Sequence, residues 1–150
     1  MGDAAPDFEL AGTEGSFRLG AHRGERVVLL FYPGDETPVC TKQFCSYRDR
    51  ADDMSALDAV VVGISGQDVD SHEAFTSHHG LTVPLLADAD KAVARSYGVT
   101  RPVLGTQRAT FIVDESGTIA WCKIHAVGLD YVGVDELREA LASLPAPVAD

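Results

Sequence analysis

Hydrophobic and polar positions alternate along this chain in blocks that predict alternating strands and helices. Two continuous apolar runs, residues 27–32 and 59–65, are rich in valine and leucine, as expected for strands buried on both faces. Apolar side chains then recur every three or four residues over 39–57, which predicts a helix. The other predicted elements are a hairpin in the first twenty residues, a helix capped by Asp70 and ending near 79, a strand at 85–86, a helix over 91–97, strands over 110–113 and 118–124, and a closing helix from about 135 to 144.

This order of elements predicts an α/β fold. Buried strands that alternate with helices, followed by a hairpin and a last helix, indicate a sandwich around a mixed sheet. The turn of that hairpin is expected at 114–117, where Asp, Ser and Gly favour a turn. No repeat or linker interrupts the pattern, which predicts a single domain over residues 1–150. The Pro- and Ala-rich tail after Leu144 is expected to fray.

The acidic composition of the chain argues against nucleic acids and membranes as partners. The chain has 23 acidic and 12 basic side chains and a net charge of −11, so it repels nucleic-acid phosphates and anionic membranes. The acidity is most simply explained by solubility. No segment is apolar enough to span a bilayer and the start lacks a secretory signal, which predicts a cytoplasmic protein. Three cysteines are too few for a disulfide scaffold, so they are either packed core residues or reactive groups.

The reactive candidate is Cys40, in the first turn of the helix that follows a buried strand. Unpaired N–H groups and the positive end of the dipole at a helix start favour the thiolate over the thiol. Thr37, three residues earlier, offers a hydroxyl to the sulfur and to a bound oxygen. The alternative interpretation is that Cys40 is a small buried apolar residue and that Thr37 is a helix cap.

The motif Pro33-x-x-x-Thr37-x-x-Cys40 resembles the peroxidatic-cysteine motif of peroxiredoxins. With the flanking residues of segment 31–45, it is similar to the bacterioferritin-comigratory (peroxiredoxin Q-like) subfamily. Segments 2–8, 97–99 and 108–114 also resemble that subfamily and occur in the expected order. Two residues depart from the pattern, because Val39 stands where glycine is frequent and Gln43 where glutamate is frequent. The resemblance implies a thioredoxin-like fold.

The resemblance also implies an activity, the thiol-dependent reduction of hydrogen peroxide and organic hydroperoxides. Cys40 would be the peroxidatic cysteine and would become a sulfenic acid, while Thr37 and the Cys40 N–H hold the peroxide. Arg108 would stabilise the negative charge, although the simpler alternative for it is a surface salt bridge. Pro33 would shape the loop and shield the sulfur. Cys45 would be the resolving cysteine that forms an intramolecular disulfide with Cys40.

The same resemblance implies a thioredoxin-like dithiol as reductant, and a monomer or weak dimer. Forming the disulfide poses a geometric problem, since residues five apart on a helix have Cα atoms about 8–9 Å apart, beyond the roughly 7 Å limit for a disulfide. We therefore expect the first turns of this helix to unwind on oxidation. Alternatively, Cys45 is a packed core residue and a partner thiol resolves Cys40. Cys122 is expected to fill space in a strand rather than to resolve.

No metal or bound cofactor is expected. The sequence has no zinc-finger spacing of Cys and His, no C-x-x-C pair, no P-loop and no dinucleotide fingerprint. Asp35 and Glu36 are interpreted as solvated loop charges. Two other functions fit the same cysteines, namely a thiol–disulfide exchanger that acts on proteins and a peroxide-responsive redox sensor.

Overall fold

A computed structural model describes residues 2–101, 105–125 and 131–144. The strands are β1 (Glu9–Leu10), β2 (Phe17–Arg18), β3 (Val27–Phe31), β4 (Val60–Ser65), β5 (Leu85–Ala87), β6 (Thr100–Arg101), β7 (Gly105–Thr106), β8 (Ala109–Val113) and β9 (Ile119–Ile124). The helices are α1 (Pro38–Asp49), α2 (Ala51–Ser55), α3 (Val69–His79), α4 (Ala92–Ser96) and α5 (Val134–Ala142), with a 3-10 turn at Leu19–His22.

Five strands form a mixed sheet in the order β5-β4-β3-β8-β9. The central strand β3 pairs in parallel with β4 and antiparallel with β8. All five residues of β3 are buried, which agrees with its continuous apolar sequence. The predicted α/β sandwich with a mixed sheet and an N-terminal hairpin, here β1–β2, is therefore confirmed.

Each face of the sheet covers its own apolar core, because successive side chains of β3 point to opposite faces. Val28 and Leu30 belong to a core that also contains Cys40 of α1, which we call the α1-side core. Residues of α3 and α5 complete it. Val27, Leu29 and Phe31 belong to the other core, built with residues of α4 and of the hairpin, which we call the α4-side core.

Helix α1 lies close to the sheet because β4 has a glycine beneath it. A Cβ atom at Gly63 would lie 2.9 Å from the ring of Phe44 and 2.8 Å from Leu85. Real Cβ atoms do not approach other atoms so closely, so a larger residue would push α1 away from β4. This contact fixes the distance between the helix that carries Cys40 and the strands below it.

Two predicted boundaries are wrong. The single helix expected over 39–57 is divided at Arg50, whose φ of −116° and ψ of 41° are not helical. The apolar spacing concealed the division because Met54 of α2 packs into the same α1-side core as Phe44 of α1. The cap of α3 is Asp68 rather than Asp70, since the Asp68 carboxylate accepts a 2.8 Å hydrogen bond from the Ser71 N–H.

The other predicted helices and strands are confirmed to within one or two residues, while the short β6–β7 pair and the 3-10 turn were not predicted. The expected fraying after Leu144 concerns residues outside the described ranges. Within those ranges, no helix combines the length and the hydropathy that crossing a bilayer would require.

Candidate active site

Cys40 lies at the start of α1, just after the loop that connects the central strand β3 to this helix. After β3, a loop of residues 32–37 leads to Pro38, which opens α1, and Cys40 follows in the first turn. The N–H groups of a first turn have no acceptor within the helix and can therefore bind an anion. The Cys40 side chain is fully buried. Cys40 is thus a packed residue, as the alternative interpretation held, but its sulfur faces polar groups as well as the α1-side core.

Thr37 occupies the N-cap position of α1 without capping it through its side chain. Its backbone is extended, and its hydroxyl donates a 3.1 Å hydrogen bond back to the carbonyl of Gly34. The interpretation of Thr37 as an ordinary side-chain cap is therefore wrong. The residue is exposed, and so is Pro33, at the start of the same loop. Both lie on the solvent side of the loop that leads to the cysteine.

Arg108 brings a positive charge directly to the sulfur. It precedes β8, is 3% exposed, and its Nη2 donates a 3.0 Å hydrogen bond to Cys40 Sγ. Its Nη1 donates to Oε1 of Gln43, one turn along α1 from the cysteine. The alternative of a surface salt bridge is wrong, because the guanidinium is buried against a thiol and an amide. The arrangement places a buried positive charge within hydrogen-bonding distance of the sulfur.

Gln43 orients this guanidinium. It is 1% exposed; its Oε1 accepts from Arg108, and its Nε2 donates a 2.9 Å bond to the hydroxyl of Tyr47. Tyr47 in turn donates its proton to the carbonyl of Val132 at 2.5 Å, and burial raises the pKa of Tyr47. The Tyr47 hydroxyl has one proton and uses it on Val132, so the neighbour at position 43 has to be a donor. A glutamine satisfies this requirement and an ionised glutamate does not.

A second polar network fixes the loop from the other side. The side chain of Asp35 is 4% exposed, and its carboxylate accepts 2.7 Å hydrogen bonds from the hydroxyls of Tyr32 and Ser71. Nδ1 of the buried His72 lies 2.7 Å from the same carboxylate, and its Nε2 lies 2.9 Å from the carbonyl of Leu86. The interpretation of Asp35 as a solvated loop charge is wrong. Glu36, by contrast, is exposed as expected.

Burial and hydrogen bonding in this network shift the pKa values of Asp35 and Tyr32. Burial alone would raise the pKa of Asp35, but hydrogen bonds from His72, Tyr32 and Ser71 lower it below its usual value of 3.8. The two ring nitrogens of His72 face the Asp35 carboxylate and the Leu86 carbonyl, so the ring links the loop to β5. Burial, and then the Asp35 charge, raise the pKa of Tyr32 well above 10.

The remaining two cysteines pack against different faces of the sheet. Cys45 is on the same uninterrupted helix α1, is partly buried and packs against the α1-side core. Cys122 is on β9 and packs against the α4-side core, on the opposite face of the sheet. All three are free thiols. The sheet separates Cys122 from Cys40, so its predicted role as space-filler fits its position better than a resolving role.

Known proteins resemble this chain along most of its length. A family model described as the AhpC/TSA family matches residues 1–122. The chain belongs to the AhpC/TSA family. A putative peroxiredoxin bcp of Coxiella burnetii is 38% identical over 138 residues, which cover 85% of this chain and 91% of that protein. The peroxiredoxin Bcp of Bacillus subtilis is 33% identical, with 96% of this chain and 94% of that protein covered.

A solved structure shares the fold closely. The crystal structure of the peroxidoxin BcpB of Mycobacterium tuberculosis superposes with a TM-score of 0.84, at 33% identity and with 97% of each chain covered. The predicted family, peroxiredoxins of the bacterioferritin-comigratory type, and the thioredoxin-like fold that it implied are therefore confirmed. A peroxiredoxin is a thiol-dependent peroxidase.

The sequence predicted Cys40, Thr37 and Arg108 as site residues and did not indicate the contacts of His72 and Tyr47. His72 was concealed because an isolated histidine on a helix has no signature. The signal available was its spacing of three from Phe75, since both are fully buried on the inner face of α3.

Proposed function

We propose that this chain, as a single domain over residues 1–150, reduces hydrogen peroxide and organic hydroperoxides with Cys40 as the peroxidatic cysteine. The observation that carries the proposal is the 3.0 Å contact between Arg108 Nη2 and Cys40 Sγ in a buried site at a helix start. A related protein supports the substrate class, since the bacterioferritin comigratory protein of Xanthomonas campestris, 28% identical with a TM-score of 0.81, has been studied for alkyl peroxide reduction.

In the first step, the Cys40 thiolate attacks one oxygen of the hydroperoxide. An S–O bond forms and the O–O bond breaks, so the sulfur is oxidised to a sulfenic acid and the other oxygen leaves as alcohol or water after taking a proton. Arg108 stabilises the thiolate and the charge that develops on the oxygens. Thr37 and the Cys40 N–H hold the peroxide, and Pro33 shapes the exposed side of the loop.

In the second step, the Cys45 thiol attacks the sulfenic acid, expels water and forms the Cys40–Cys45 disulfide. Helix α1 is continuous from Pro38 to Asp49, so the two Cα atoms lie about 8–9 Å apart and the first turns must unwind for this bond to form. A thioredoxin-like dithiol then reduces the disulfide and restores both thiols. Three free cysteines fit a reducing compartment such as the cytoplasm, and we propose a monomer or weak dimer there.

The test is to add one equivalent of hydrogen peroxide to the reduced protein and to map the products by intact mass and non-reducing peptide mass spectrometry. We expect the loss of two hydrogens and a Cys40–Cys45 crosslink. Cys122→Ser is the matched control and should give the same crosslink, whereas Cys40→Ser should not react. An unmodified Cys40 would overturn the proposal, and oxidised Cys40 beside an untouched Cys45 would transfer the resolving step to a partner thiol.

Turnover separates this function from the two alternatives. A peroxidase consumes many equivalents of peroxide when a thioredoxin system supplies reducing equivalents. A redox sensor would stop after one equivalent. A protein disulfide exchanger would react slowly with peroxide and without saturation.

A further inference from the structure

Outside the site of Cys40, a second group of side chains has the chemistry of a metal site. Glu36 lies in the loop before α1, while His78 and His79 form the C-terminal end of α3. Oε2 of Glu36 is 2.8 Å from Nδ1 of His78, and Oε1 is 2.7 Å from Nε2 of His79. One ligand atom from each residue lies within 4.8 Å of the others. The loop and the helix end are more than forty positions apart in sequence, so no spacing pattern could have shown this group.

The donor set is suited to a divalent transition metal. One carboxylate and two imidazoles form the mixed O/N set found at open zinc sites, where a water or another ligand completes the tetrahedron. With metal–ligand bonds of about 2.0–2.2 Å, tetrahedral ligands lie roughly 3.3–3.5 Å apart. The present carboxylate–imidazole separations of 2.7–2.8 Å are those of hydrogen bonds. The ligands thus need to move apart by only about half an ångström when an ion replaces the shared protons.

The surroundings leave room for an ion to enter. The side chains of His78 and Glu36 are 68% and 45% exposed, so water can reach the group and supply a fourth ligand. Two contacts fix the position of His79. Its ring packs against the ring of Phe75, and its backbone carbonyl accepts a hydrogen bond from Arg48. The Arg48 charge is itself paired with Asp49 at 2.8 Å.

We propose that Glu36, His78 and His79 bind one divalent transition-metal ion of the zinc class, and that the bound ion fastens the loop before Cys40 to the end of α3. The second part rests on the proposed function. Unwinding the first turns of α1 displaces Glu36, which lies two residues before that helix, away from the two histidines. The ion therefore binds the reduced, helical form more tightly, and by linkage it opposes formation of the Cys40–Cys45 disulfide.

The site is tested by calorimetric titration of Zn²⁺ into the full chain carrying Cys40→Ser, Cys45→Ser and Cys122→Ser, so that no thiolate can bind the ion. At about pH 7.5, we expect one ion per chain. Adding Glu36→Gln or His78→Gln should weaken binding by roughly tenfold or more. The matched control is His22→Gln, which removes a histidine that faces Glu25 elsewhere on the surface and should leave the affinity unchanged. No binding, or equal binding with Glu36→Gln, would overturn the site.

The predicted effect of the ion on disulfide formation is tested in the protein that keeps all three cysteines. The rate at which the Cys40–Cys45 disulfide forms after a peroxide pulse is measured with and without one equivalent of Zn²⁺. Slowing that is present in the parent and lost in Glu36→Gln supports the fastening, and equal slowing in both refutes it, because the ion would then act on the thiols. A protein whose Cys40 ignores peroxide would refute the proposed function and leave the calorimetry intact.

Discussion

Replacing Arg108 with methionine tests the electrostatic basis of the proposed peroxidase. The change keeps the length and bulk of the side chain and removes a buried charge whose Nη2 lies 3.0 Å from Cys40 Sγ. With the centre of the guanidinium charge about 4 Å from the sulfur and an effective dielectric constant near 20, the attraction is about 4 kcal/mol. Removing it disfavours the thiolate by up to that amount.

The effect on rate is smaller than the full attraction, because a more basic thiolate is also a stronger nucleophile. A Brønsted coefficient of about 0.4–0.5 offsets roughly half of the loss. The remaining 2 kcal/mol or so corresponds to about a 30-fold slower reaction with peroxide at neutral pH. Since Arg108 also faces the oxygens on which charge develops, we expect a loss between about 30-fold and 1000-fold.

The assay is rapid-quench mass spectrometry of Cys40 oxidation under a pseudo-first-order excess of peroxide. Arg95→Met is the matched control, because Arg95 is exposed on α4, and it should react at the parental rate. Arg108→Lys keeps the charge but lacks the two-pronged geometry that reaches Cys40 and Gln43 together, so we expect partial recovery. If Arg108→Met remains folded and reacts within about threefold of the parent, the electrostatic reasoning is refuted.

Three further substitutions test the two polar networks and the proposed resolving cysteine. Asp35→Asn should lower the free energy of unfolding by about 2–3 kcal/mol at neutral pH, measured by urea titration. Since folding lowers the pKa of Asp35, its stabilisation is complete above the unfolded value of 3.8 and is lost as the pH falls through the folded value, so the difference from the parent should vanish in that range. Gln43→Glu should slow peroxide attack about tenfold by placing a negative charge beside Arg108, and an unchanged rate would contradict the orienting role of the amide. Cys45→Ser should accumulate sulfenic acid on Cys40 and then over-oxidised products under excess peroxide, which mass spectrometry detects; an intact disulfide yield would exclude Cys45 as the resolving cysteine.

The parts of the fold that could be predicted are those whose local pattern and tertiary environment agree. Strand β3 is buried on both faces, so its continuous apolar run identified it directly. The division of α1 from α2 could not be predicted, because Met54 keeps the apolar period across a break at Arg50 that depends on the backbone alone. The cap of α3 was misplaced because Asp68 and Asp70 are equally good caps in sequence, and only one of them meets the Ser71 N–H.

The contact between Cys40 and Arg108 could be predicted from the sequence, whereas the residues that support it could not. Cys40 belongs to the motif of residues 33–40 and Arg108 to the segment 108–114, and the resemblance implied that Arg108 would face the sulfur. Asp35 looked like a loop charge because its partner, His72, lies on α3, and a pairing across 37 positions leaves no periodic signal. Gln43 was noted only as a departure from the frequent glutamate, whereas its hydrogen bonds to Arg108 and Tyr47 use a donor that an ionised glutamate lacks.

The two polar networks differ in what oxidation does to them, and this difference favours the unwinding that the disulfide requires. The Asp35–His72 contact does not include the sulfur, so it continues to hold the loop at residue 35 when Cys40 is oxidised, and the displacement of the chain begins after that residue. In the proposed first step, the thiolate that Arg108 faces becomes a neutral sulfenic acid, which forfeits most of an attraction of about 4 kcal/mol. A loss of that size shifts a two-state equilibrium about a thousandfold toward the form in which Cys40 has left Arg108. In the proposed reaction, the oxidation of Cys40 thus removes the negative charge that attracts Arg108 and releases the start of α1 for unwinding.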